Sequence, residues 1–162
     1  MKTHVILQRL SVVSRRSFDD VIRSFTAFIG KPDMCRFQRA ISEAETHEDL
    51  QRIVGDAVGP SQLMEFARYD AGSILRKADG GPRPRMVRFL VGNPLIMKEM
   101  ARTIPDAASY APVTILIDER ADGVHLTYDT MESLLEHYDS DPALDVARDL
   151  DAKIESLLRK SA

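Results

Sequence analysis

At 162 residues, with 44% hydrophobic and 29% charged side chains, the chain is long enough to bury about 70% of its unfolded surface without disulfide or metal staples. Its net charge of -3 and pI near 5.8 supply no basic excess for a nucleic-acid backbone or an anionic membrane, so neither partner is expected. The single cysteine, Cys35, excludes an internal disulfide and a multi-thiolate metal centre, and points to a reducing, cytoplasmic setting.

The opening residues 1–9 break their apolar run at Gln8 and Arg9 before a signal-peptide core forms. No later stretch reaches the ~20 apolar residues of a membrane helix. Val5, Ile6, Val12 and Val13 predict a strand within 4–13. Ser17 then offers a cap, Asp19 and Asp20 suit a helix start, and Phe18, Val21, Ile22, Phe25, Phe28 and Ile29 recur at helical spacing up to Gly30 and Pro32. Helices over 33–43 and 46–58 follow, with Met34, Phe37, Ile41, Leu50, Ile53 and Val54 inward. Gly59 and Pro60 close them.

Two-residue alternation then marks a strand from Met64 to Tyr69, with Met64 and Phe66 on one face and Glu65, Ala67 and Tyr69 on the other. Residues 76–82 form a turn-rich connection to a second strand over 86–91, which makes a hairpin. Asn93 caps a helix whose first position is Pro94. A second hairpin pairs 113–119 with 124–128, and helices over 131–137 and 142–159 end the chain. Leu144, Ala147, Leu150, Ile154, Leu157 and Leu158 form the apolar stripe of the last one. One strand plus two hairpins predicts an α+β domain over 1–162, with a mainly antiparallel sheet and helices on one face.

Residues 86–94, 110–117, Tyr128-Asp129, Ser133-Leu134-Leu135 and 150–154 keep the order and context of a known family. On these the chain resembles the family called domain of unknown function 302, with the first strand and helix fitting the family's start and 31–61 standing as an added helical segment. The resemblance implies a compact α/β sandwich-like domain, commonly a homodimer, with no established activity. Many members carry cysteines where this chain has Gly92 and Val113, so a thiol or metal chemistry shared by the family would lack its ligands here.

The candidate chemistry is sparse. Glu65, Asp70 and Asp129 lie at strand edges or ends, where two converging carboxyls would serve acid–base work; the plainer reading makes them solvated, with Asp70 setting a turn. His4, His47, His125 and His137 lack metal-ligand spacing, so neither metal nor cofactor is expected. The alternation leaves His125, Thr127 and Asp129 on the face opposite the core, shared with Arg88 and Glu65, as a wet surface, a ligand site or a dimer face. Gly92-Asn93-Pro94 reads as a cap more readily than as an anion site. The basic run Arg76, Lys77, Arg83, Arg85 and Arg88 has no interleaved aromatic residue for nucleic-acid stacking. Cys35 reads as a small core residue. The leading expectation is a non-catalytic, homodimeric small-ligand-binding or regulatory domain, its site near Glu65, Tyr69, Asn93, Tyr110, Tyr128 and Asp129. The alternatives are a hydrolase or isomerase using Glu65, Asp70 or Asp129, and a structural protein-interaction domain.

Overall fold

A computed structural model describes residues 2–81 and 84–162; Pro82 and Arg83, from the expected turn and the basic run, lie outside the described residues. Five strands, β1 (Arg9–Ser14), β2 (Met64–Tyr69), β3 (Met86–Gly92), β4 (Val113–Arg120) and β5 (Gly123–Asp129), form one sheet in the order β1-β5-β4-β3-β2. Every neighbouring pair is antiparallel, and the class is α+β.

One face of the sheet carries the core. Phe89, Val91, Ile115, Ile117, Leu126 and Tyr128 are buried there with α1 (Phe18–Phe28) and α8 (Asp141–Ser161). Ser17 accepts from the Asp20 amide to start α1, and Phe25 meets Phe89 with ring centroids 4.9 Å apart. The predicted stripe of α8, from Leu144 to Leu158, is buried throughout. Burying such side chains is worth about 1.5–3 kcal/mol each, which makes this the main source of stability.

The segment between α1 and β2 folds as α2 (Met34–Glu43) and α3 (His47–Ala57). It forms a smaller core of Phe37, Val54, Ala57 and Met64 at the β2 edge. Gly30 joins it by donating to the Leu63 carbonyl and accepting from the Glu65 amide. A Cβ on Gly30 would stand 1.8 Å from the Ala57 carbonyl oxygen, so glycine is required by the closeness of the two chain segments. Cys35, expected in the core, is exposed on α2; the inward positions of that short helix are taken by Met34, Phe37 and Ile41.

Two local expectations are corrected. The connection between β2 and β3 is not simply turn-rich: it holds α4 (Ala71–Asp79), capped by Asp70, which accepts from the Ser73 amide, and closed by Gly80 at φ 66°. β2 does not alternate as expected either. Glu65 pairs with Val91 and Ala67 with Leu90, so Phe66 is an extra residue in a β-bulge. The bulge turns Glu65 toward the helix-covered side, where it is buried, and away from the open face it was expected to share with Arg88.

The remaining elements are α5 (Pro94–Ala101), α6 (Ala107–Tyr110), α7 (Met131–Leu135) and a 3₁₀ turn (Glu136–Tyr138). Asn93 caps α5 by accepting from the Leu95 amide and also donates to the Gln62 carbonyl. Among the described residues no helix is long and apolar enough to cross a membrane.

Candidate functional site

The second face of the sheet is left open, and antiparallel pairing fixes what it shows. Arg88 stands beside Leu116 and Leu90 beside Thr114. Leu116 stands beside Thr127, and Asp118 beside His125; Thr127 continues to Ser11, and Asp129 to Arg9. Where this face meets the chain entering β4 through α6, Ala111 and Pro112, a concavity of about 660 Å³ is formed. That volume is in the range of small-molecule sites.

The concavity is graded along the strands. At the end where β4 begins and β5 finishes, it is rimmed by Leu7, Tyr110, Ala111, Pro112 and Leu134. Farther along, Leu90 and Leu116 form an apolar floor and Arg88 and Arg120 bring positive charge. Arg9 and Arg120 are already matched. Arg9 grips Asp129 through two bonds of 2.6 and 2.9 Å, and this guanidinium holds the Asp129 carboxyl below its ordinary value. Arg120 reaches back to the buried Asp118 at 2.7 Å. Arg88 differs: it donates to Thr114 Oγ1 at 3.2 Å and lies 6.0 Å from the Tyr69 ring centroid, with no carboxylate partner among the described residues. The Thr127 hydroxyl is buried and has no hydrogen-bond partner among them, a state that costs free energy.

The six residues expected to form a ligand site are not gathered together. Tyr110, Tyr128 and Asp129 border the concavity, while Asn93 lines an adjoining hollow that shares Ala111 and Pro112. Tyr69 flanks Arg88 from the sheet edge, and Glu65 is on the other face, paired with Arg68 at 2.8 Å. Tyr128 points its ring into the core. Its hydroxyl donates to Asp151 Oδ1 at 2.6 Å, and the same carboxylate accepts from the Met131 and Glu132 amides. Burial raises the pKa of both Tyr128 and Asp151. This arrangement caps α7, whose Thr130 makes no side-chain cap, and is structural. Tyr110 belongs to a rim cluster in which the Tyr138 hydroxyl donates to Asp106 at 2.6 Å, a bond that raises the tyrosine pKa.

The carboxylates of the enzymatic alternative are held apart as well. Glu65 is buried with Arg68, Asp70 caps α4 and pairs with Arg76, and Asp129 pairs with Arg9. The basic run disperses too: Arg85 turns to Asp19 and the Phe18 ring, away from Arg88. Among the described residues no group of three or more His, Cys, Asp and Glu side chains is placed to hold a metal ion. Sequence reasoning passed over Arg9, Leu116, Arg120 and, of the rim, Leu7 and Leu134 as site residues. The alternation of Thr114, Leu116 and Asp118 against Val113, Ile115 and Ile117 was the available signal for the floor.

Comparison with known proteins gives the family. No curated protein matches the chain. A crystal structure of an uncharacterized conserved protein DUF302 from Bacillus stearothermophilus superposes with a TM-score of 0.66 at 9% identity, covering 95% of this chain and 98% of that one; at that identity the likeness is one of fold. The model of the family Domain of unknown function DUF302 matches residues 37–161, starting inside the helical segment that reads as an addition. With most of its length matched, the chain belongs to the DUF302 family.

Proposed function

We propose that this protein is a non-catalytic, homodimeric small-ligand-binding domain, and that its ligand occupies the concavity on the open sheet face. The observation that carries this reading is the combination of an apolar floor, a half-enclosing rim and a guanidinium with no carboxylate partner among the described residues, in one hollow of about 660 Å³. A wet surface of charge pairs would account for Arg9 with Asp129 across β1 and β5 and for Arg120 with Asp118 along β4. It would not account for Arg88, Leu90 and Leu116 beside them. Self-association is supported by β1, an edge strand that follows exposed Ile6 and Leu7 and itself exposes Val13; an unprotected edge invites strand pairing.

The ligand reading is tested by a thermal-shift screen of metabolites, nucleotides and metals against the native chain and Thr114→Trp. Thr114 is exposed, so tryptophan there fills the hollow without entering the core. A ligand that selects the folded state raises the melting temperature. The expected hit stabilises the native chain and not the variant. Hits that stabilise both equally would place the site elsewhere.

A further inference from the structure

Resting on that reading of the site, we infer that the concavity takes an amphipathic monoanion: a carboxylate on an apolar body, its charged group on Arg88 and its body along Leu90 and Leu116 toward the Leu7 and Leu134 rim.

The charge count leads to a single anion. Three guanidiniums and one carboxylate border the hollow. Asp129 answers Arg9, and Asp118, just beyond the border, answers Arg120. Arg88 remains as one surplus positive charge in a chain of net charge -3. A guanidinium matches the planar, two-oxygen geometry of a carboxylate and strengthens its bonds when water is partly excluded. A dianionic phosphate would find only half its charge met. On the open face Thr127 stands across from Leu116 and Thr114 two residues before it on β4; the Thr127 hydroxyl is buried and has no hydrogen-bond partner among the described residues.

Polarity along the strands sets the direction. Arg88 sits beside Leu116, and Arg120 lies farther along β4. The opposite end, by the starts of β1 and β4, is rimmed by Leu7, Leu134, Ala111 and Pro112, and the charges it carries, Arg9 and Asp129, neutralise each other. A ligand polar at one end and apolar along its length matches this gradient. A sugar or a nucleotide would leave hydroxyls or ring nitrogens against leucines with nothing to bond.

Calorimetric titration of the full chain with octanoate, octanol, octylammonium and inorganic phosphate tests the inference. Octanoate should bind about tenfold or more tighter than octanol, as loss of one charged hydrogen bond predicts, and octylammonium and phosphate should bind more weakly still. Arg88→Gln, at an exposed position, should fold with an unchanged melting temperature and lose that preference, while Arg88→Lys should keep part of it. Equal binding of octanoate and octanol would overturn the anionic requirement and leave the ligand site standing. Stronger binding of octylammonium or phosphate would overturn the ligand class, as would an octanoate preference that survives Arg88→Gln. If no alkyl probe binds while Thr114→Trp abolishes a hit from the metabolite screen, the site is real and the inferred ligand is wrong. If no alkyl probe binds and the screen gives no such hit, both readings fail.

Discussion

Asp151 shows how much one carboxylate is asked to do. It receives the Tyr128 hydroxyl and the amides of Met131 and Glu132, so Asp151→Ala should destabilise the fold by about 2–3 kcal/mol, because buried donors are left unmatched. Tyr128→Phe should cost only about 1 kcal/mol, since the Met131 amide keeps Asp151 as its acceptor. Urea denaturation measures both. The Tyr128 bond also lowers the Asp151 pKa against the upward effect of burial, so carboxyl-detected NMR should find Asp151 titrating higher in Tyr128→Phe. Asp129 has the opposite sign: its folded-state pKa is depressed by Arg9. Its stabilising contribution is therefore present above the unfolded carboxyl value and lost as pH falls through the folded one. Arg9→Gln should move Asp129 back up toward the ordinary range and flatten that part of the acid limb. The assignment of Asp129, Thr127, His125 and Arg88 to the face opposite the core was legible from two-residue alternation, whereas the burial of His125 on that face was not. That of Glu65 was not, because the extra residue Phe66 shifts the register only once β2 has β3 to pair with.

At the scale of elements, the sequence carried most boundaries through capping chemistry. Ser17, Asp33, Thr46 and Asn93 cap the helices they precede. The same signals were present for α4 in Asp70 and Gly80, but the density of glycine and charge around them reads equally well as a turn. Gly72 adds to the ambiguity. It weakens a helix in isolation, yet a Cβ there would stand 2.8 Å from the Met86 amide nitrogen, so its use becomes plain only when α4 rests on β3. Gly30 and Gly59 do the same where the helical segment meets the start of β2. Gly30→Ala places its Cβ against the Ala57 carbonyl, and Gly59→Ala against the backbone of Ile29 and Gly30. Each should lower stability by at least about 1–3 kcal/mol, the ordinary range for overpacking. Gly55→Ala, with open space around its Cβ, should be stabilising or neutral and serves as the control in thermal denaturation.

The whole molecule is a one-sided sandwich, with helices on one side of the sheet and an open face on the other. Hydrophobic periodicity reveals the covered side because burial selects its residues. It says little about the open side, where Leu116 and Arg88 become neighbours only through pairing of strands far apart in sequence. The rim was less legible still, since α6 and the N-terminal segment reach it through tertiary contacts. If β1 joins two copies, static light scattering should give twice the 18.2 kDa chain mass, falling on dilution, and Val13→Lys should shift the balance to monomer; a concentration-independent single-chain mass would remove the dimer from the account. The ligand site is tested most directly by amide-resolved NMR of the labelled full chain titrated with octanoate. The account predicts saturable shifts centred on Leu90, Leu116, Thr127 and residues 108–112, absent in Thr114→Trp. Shifts confined to residues away from the open sheet face, such as His47, Leu95 and Val146 in a hollow between α3, α5 and α8, or none at saturating octanoate, would contradict it.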